Sequence, residues 1–161
     1  MPADDASVAR RWFYILPQTD DGARYSFAAR LTEKAWQEGH RVGLQVDGTA
    51  QAEAVDRVLW QFTPESFLPH RIVADNSVNC PDPIGVLCCD PSPQDWDTLI
   101  ILGSRLPSMA DRFQRLALVA HNEQATLARA RDLYRQLREL GCEPRVHDTR
   151  SRSRGRPGSP R

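Results

Sequence analysis

The sequence predicts an α/β fold with three layers, in which a mainly parallel or mixed sheet carries helices on both faces. Short runs of apolar and β-branched residues alternate along the chain with longer segments of helical periodicity. Glycine, proline and aspartate separate most of these segments. The length of 161 residues is typical of one domain with its own core. We therefore expect a single Rossmann-like domain over residues 12–148.

The first half of the chain predicts two strands, each followed by a helix. The strands are expected at 12–16 and 41–46, and the helices at 24–37 and 50–62. Gly39 is expected to end the first helix and Thr49 to cap the start of the second. The apolar side of the first helix is formed by Phe27, Ala28, Leu31 and Ala35.

Trp60 does not fit the apolar stripe of the second predicted helix. That stripe has the spacing i, i+3, i+4 and i+7 and consists of Val55, Val58, Leu59 and Phe62. At about 100° per residue, Trp60 lies well off its centre. Two interpretations remain open, because a neighbouring loop or strand could cover the indole, or the indole could be an exposed apolar anchor for a partner.

The second half predicts several more strands and one long helix. Strands are expected at 71–74, 84–89, 98–102, 116–119 and 143–147, with a short helix near Ser108. The long helix covers 123–140 and ends at Gly141. Its core side is formed by Leu127, Ala130, Leu133, Leu137 and Leu140.

Four residues of the long helix form what we call the helix strip: Arg131, Tyr134, Arg135 and Arg138. Their spacing is i, i+3, i+4 and i+7, which places them along one flank of the apolar side. Guanidinium groups bind carboxylates well, and a tyrosine offers apolar surface beside them, so the strip suits an acidic peptide. An ordinary solvated helix face would show the same spacing.

Charge and composition limit the possible partners. The whole chain is neutral, but residues 149–161 contain five arginines and no acid, which leaves 16 basic and 21 acidic residues elsewhere. A body with a net charge of about −5 does not suit a nucleic-acid-binding domain. The terminal segments 1–11 and 149–161 are expected to be frayed and disordered, respectively. With no apolar run of roughly 18 residues and no signal peptide, we expect a cytoplasmic protein that does not contact a membrane.

Chemical motifs are scarce in this sequence. It contains neither GxxxxGK[ST] nor GxGxxG, and the loop after the first strand has two acids where a phosphate needs backbone amides. The four cysteines have no CxxC spacing and are expected to be reduced, and the histidines have no zinc-site spacing. Ser66, His70 and Asp75 are close in sequence, which is weak support for a hydrolase triad. We expect no catalytic, metal or cofactor site.

Several motifs together resemble the chi subunit of bacterial DNA polymerase III. They are Phe13-Tyr14, the run 55–60 (VDRVLW), the loop 65–70 (ESFLPH) and the late pattern R-x-x-Y-R-x-x-R-x-x-G at 131–141. The resemblance implies a non-catalytic accessory subunit of the clamp-loader complex. It also implies a Rossmann-like fold without a nucleotide site, and two partners: the psi subunit and the acidic C-terminal tail of single-stranded-DNA-binding protein.

The resemblance assigns roles to particular residues. Trp60 and Phe67 match aromatic positions of the psi-facing surface, and Arg131, Tyr134 and Arg135 match the pocket for the tail peptide, with Arg138 completing the strip. Arg135 stands where a lysine is common, and the basic C-terminal segment has no counterpart in the family pattern. A degenerate nucleotide-dependent enzyme is the alternative from another functional class.

Overall fold

The computed structural model describes residues 10–62, 68–75 and 80–150. Within them lie seven strands, three α-helices and one 3-10 turn at Ala110–Arg112. The strands are β1 Arg10–Ile15, β2 Val42–Gln45, β3 His70–Val73, β4 Ile84–Leu87, β5 Thr98–Ile101, β6 Arg115–Ala120 and β7 Arg145–Asp148. The helices are α1 Asp21–Gln37, α2 Thr49–Gln61 and α3 Gln124–Glu139. No helix in this part of the chain is long and apolar enough to cross a membrane.

The strands form one parallel sheet in the order β3-β4-β2-β5-β6-β1-β7. Helices α1 and α2 cover one face, where their buried side chains join those of the strands in one cluster. Helix α3 and Trp96 cover the other face, in a second cluster. The predicted three-layer α/β fold is therefore confirmed, and the sheet is parallel throughout.

The central strands β2 and β4 are buried on both faces, and two glycines make room there for Trp96. A Cβ on Gly85 would lie 2.5 Å from the Trp96 ring, and one on Gly43 would lie 3.3 Å from it. The indole therefore lies directly against the sheet. Arg41 stacks on the outer side of the indole, with its guanidinium carbon 4.7 Å from the ring centroid.

Helix α1 buries a different stripe from the predicted one. Ala28 and Ala35 are buried as expected, but Phe27 and Leu31 are only half-buried. The centre of the contact includes Ala29 and Thr32, and the Thr32 hydroxyl donates to the Ala28 carbonyl at 2.8 Å. Small side chains at the centre let the helix approach the sheet closely, with the larger ones sealing its margin.

Two predictions about helix ends were wrong. Thr49 is the first residue of α2 rather than its cap, and Gly48 precedes it without a side-chain cap. Instead, the Gln51 side chain accepts a hydrogen bond from the Asp47 amide at 2.7 Å, which closes the entry turn. Leu140 was predicted to lie on the core side of α3. It is instead 49% exposed, because it caps α3 and lies beyond the buried stripe.

The chain leaves the sheet through a short attachment to β1. Thr149 donates two hydrogen bonds to the Ile15 carbonyl, from its amide at 3.0 Å and from its hydroxyl at 2.9 Å. Arg150 forms an ion pair with Asp148. Thr149 and Arg150 are the first two residues of the segment predicted to be disordered. The rest of that segment, 151–161, lies outside the described residues.

Candidate functional site

The sheet places a crevice where doubly wound folds commonly bind nucleotides. Strands β1 and β6 are neighbours, yet α1 follows β1 on one face of the sheet and α3 follows β6 on the other. The crevice outside their carboxyl ends is the topological switch point of the fold. It is therefore the first place to test for a phosphate site.

Two carboxylates occupy the helix N-termini at this crevice. Asp20 accepts a hydrogen bond from the Ala23 amide at 3.1 Å, and Glu123 accepts from the Thr126 amide at 2.9 Å and the Ala125 amide at 3.3 Å. The Thr126 hydroxyl, followed by these amides, lowers the pKa of the Glu123 carboxyl. These carboxylates already accept the amide hydrogens that a phosphate would need, and their negative charge would repel it. The crevice therefore disfavours a nucleotide-dependent enzyme.

Trp60 stands exposed near the end of α2. Its side chain is 55% exposed, which confirms that it lies outside the core stripe. The indole centroid is 4.8 Å from that of the His70 ring at the start of β3, with the rings tilted by 59°. We call Trp60, His70 and Asp56 together the Trp60 surface.

His70 is held between two acceptors. Its side chain is 1% exposed, with Nδ1 at 2.6 Å from the Leu68 carbonyl oxygen and Nε2 at 3.0 Å from Asp56 Oδ1. The Asp56 oxygen lies close to Nε2, but the contact does not have the geometry of a hydrogen bond. Nδ1 is thus engaged by the Leu68 carbonyl and Nε2 faces the Asp56 carboxylate, an arrangement that does not suit a general base for a serine.

The roles of His70 and Asp56 were not predicted from sequence. Asp56 and Trp60 are spaced i, i+4 and so share one side of α2, which was an available signal. Only the fold brings His70 to that side. Phe67, the other residue expected on this surface, and Ser66 lie outside the described residues, and the neighbouring Leu68 is buried.

The helix strip runs along the flank of α3 that faces β1 and β7. Tyr134 is half-buried, with its ring centroid 5.7 Å from that of Phe13. The Arg138 guanidinium carbon lies 6.0 Å from the Tyr134 ring centroid. Val146 of β7 is in register with Phe13 and is 46% exposed. Tyr134 and Val146 therefore supply apolar surface beside cationic side chains.

The two remaining arginines of the strip differ in their surroundings. Arg135 donates to Asp132 Oδ1 at 2.7 Å in an exposed i, i+3 pair, and Gln136 donates to the other carboxylate oxygen at 3.1 Å. Arg131 is exposed, and its charge is one of those that lower the pKa of Asp148. The structure thus places the four residues on one flank, with Arg135 turned towards Asp132.

Metal and thiol chemistry have little support in this part of the molecule. Across residues 10–62, 68–75 and 80–150, no three histidine, cysteine, aspartate or glutamate side chains are grouped to hold a metal ion. All four cysteines are free thiols, and burial raises the pKa of Cys88 and Cys89. A raised pKa makes a thiol less nucleophilic at neutral pH.

Comparison with known proteins gives a consistent result. The family model described as DNA polymerase III chi subunit, HolC, matches residues 8–145. The DNA polymerase III subunit chi of Pseudomonas aeruginosa is 36% identical over 135 residues, which cover 84% of this chain and 93% of that protein. The subunit chi of Haemophilus influenzae is 29% identical over 130 residues, 80% of this chain and 90% of that protein. The chain therefore belongs to the DNA polymerase III chi subunit family.

Proposed function

We propose that this chain is a non-catalytic accessory subunit that joins two proteins of the replication machinery. One partner is the psi subunit of the clamp-loader complex, bound through the Trp60 surface and Phe67. The other is the C-terminal tail of single-stranded-DNA-binding protein, bound by the helix strip. Family membership supports the assignment to DNA polymerase III, and the following geometry supports the two surfaces.

The observation that carries the proposal is the separation of the two surfaces. The Trp60 surface lies beside β3 and the helix strip lies beside β7, which are the two edge strands of the sheet. At about 4.8 Å between neighbouring strands, the edges are roughly 30 Å apart. Two partners can therefore bind at the same time without competing for one surface.

The Trp60 surface has the character of an apolar interface anchor. An exposed tryptophan on a fixed helix is the kind of residue that often dominates a protein–protein interface. Its neighbour His70 is immobilised by Leu68 and Asp56, so the indole is presented on a rigid base. A partner that buries this ring needs to order few side chains on this chain.

The helix strip has the character of a site for an acidic peptide with an apolar residue. Arg131 and Arg138 stand one turn to either side of Tyr134, whose ring offers apolar surface next to Val146. A terminal carboxylate can pair with a guanidinium while an apolar side chain packs beside the tyrosine. Such a small, partly charged contact predicts micromolar affinity, about −8 kcal/mol.

A three-component binding experiment tests the proposal. Single-stranded-DNA-binding protein on a resin should retain psi only when this chain is added. Trp60→Ala should release psi while this chain stays on the resin, and Arg131→Glu should release both. Arg129→Glu changes the same charge on the opposite flank of α3 and serves as the control. Retention of psi by the Trp60→Ala and Arg131→Glu variants alike would contradict the proposal.

A further inference from the structure

Asp148 is an acidic residue placed beside the helix strip. It ends β7 in register with Ile15 of β1, and Ile15 belongs to the core cluster under α3. Residues in register on neighbouring parallel strands point to the same face, so Asp148 is on the α3 side, as is Val146. A carboxylate in this place opposes the capture of an acidic peptide.

Arg131 is the member of the strip that lies level with Asp148. Helix α3 connects two parallel strands, so it runs antiparallel to them. Tyr134 contacts Phe13, and Arg131 is one turn earlier in α3, which is one step closer to the carboxyl ends of the strands. Asp148 is displaced from Val146 in that same direction.

Arg150 engages both oxygens of the Asp148 carboxylate. Its Nε donates to Oδ1 at 2.9 Å and its NH2 group donates to Oδ2 at 2.7 Å, while its backbone amide donates to Oδ1 at 3.0 Å. Thr149 fixes the connecting residue through its two hydrogen bonds to the Ile15 carbonyl. The guanidinium of Arg150 is therefore held on Asp148 by its own amide contact and by the anchored Thr149 before it.

The charge of the Asp148 carboxylate is neutralised by its ion pair with Arg150 and not by protonation. Hydrogen bonds from the Arg150 side chain and amide lower the pKa of Asp148 to about 2, with the charges of Arg150 and Arg131 adding to the effect. The carboxyl is consequently ionised at any neutral pH. Without Arg150, Arg131 would be the cation left to attract it.

We propose that Arg150 is a positioning residue of the tail-peptide site, which occupies Asp148 and so leaves Arg131 available to the carboxylate of an acidic peptide. The inference rests on the proposed function of the helix strip. It adds a residue that follows the segment matched by the family model, which ends at residue 145. The peptide itself need not touch Arg150.

Binding of a fluorescent peptide with the C-terminal residues of single-stranded-DNA-binding protein to full-length variants tests this role. Arg150→Ala should weaken binding about fivefold, because it leaves the Asp148 carboxylate to pair with Arg131, and Asp148→Asn alone should change binding less than about twofold, because Arg150 already occupies that carboxylate. The decisive variant combines both changes. If Arg150 acts only by occupying Asp148, the loss caused by Arg150→Ala should disappear in the Asp148→Asn background.

Two controls separate the possible failures. Arg145→Ala removes the same charge from β7 on the opposite face, because Arg145 is in register with Trp12 rather than Phe13. If the wild-type chain does not bind the peptide, or Arg131→Glu binds as well as wild type, the proposed function fails. If these behave as proposed, the inference is overturned when Arg150→Ala matches Arg145→Ala, or when the loss persists in the double variant.

Discussion

The Trp60 surface and the helix strip differ in how firmly the protein holds the groups they present. Trp60 rests against a histidine that a carbonyl and a carboxylate fix from two sides. In the strip, only Tyr134 packs on the core, while the arginines extend on long stems from an exposed helix flank. The first surface is preorganised, and the second adapts to its ligand and depends on charge.

This difference fits two kinds of partner. A rigid apolar anchor suits a permanent subunit contact, because little ordering is needed on binding and salt has little effect. A flexible cationic strip suits a peptide that binds and leaves, because exposed charges are screened by salt. The tests below start with the change that should disturb the molecule most.

The largest effect is expected from His70→Ala. The change removes a buried ring from under Trp60 together with its contacts to Leu68 and Asp56, so the free energy of unfolding should fall by about 3 kcal/mol. Urea denaturation should show a lower midpoint with an unchanged slope. Asp56→Asn keeps the ring and should cost only about 1 kcal/mol. Equal stability of wild type and His70→Ala would show that the histidine does not support this surface.

Trp60→Ala should separate binding from stability. The free energy of unfolding should change by about 1 kcal/mol or less because the indole is largely exposed. Affinity for psi should fall by at least about 2 kcal/mol, roughly 30-fold. Calorimetric titration with psi measures the loss, and Gln61→Ala changes the next exposed residue as a control. An unfolded Trp60→Ala variant would mean that the indole belongs to the core.

The strength of helical patterns explains what the sequence could predict. Leu127, Leu133 and Leu137 recur at a spacing that only one helix face can bury, and all three are buried. The same reasoning placed Trp60 outside its stripe. It failed for Phe27 and Leu31 because periodicity identifies a side of the helix but does not say whether large or small residues occupy its centre.

Contacts between distant or irregular segments could not be predicted. His70 meets Asp56 only because β3 starts beside α2, and the intervening loop carries no periodic signal. Likewise, Arg150 belongs to a segment whose composition indicates disorder, yet it is paired with Asp148. Both pairs depend on where the sheet brings chain ends and loops, which the order of residues alone does not specify.

Arg131→Glu should produce a smaller effect than Trp60→Ala, and one that depends on salt. Replacing an attraction with a repulsion should weaken tail-peptide binding by about 1.5 kcal/mol, roughly tenfold, and by more than Arg131→Ala does. The difference between wild type and variant should shrink as ionic strength rises. Calorimetry at two salt concentrations, with Arg129→Glu as control, measures this. Equal affinities of wild type and Arg131→Glu at low salt would place the peptide elsewhere.

Asp132→Asn should produce the smallest effect and in the opposite direction. Asp132 now accepts the Arg135 guanidinium at 2.7 Å, and both side chains are more than half exposed, so their pairing contributes at most about 1 kcal/mol. Neutralising Asp132 should free Arg135 for the peptide and raise affinity two- to threefold, about 0.5 kcal/mol. Asp132 lies on the exposed side of α3, farther from the core than Tyr134. The change therefore leaves the apolar contact of Tyr134 intact. The gain should vanish in an Arg135→Ala background. A gain that survives there would show that Asp132 acts on the peptide directly and that Arg135 does not contact the peptide.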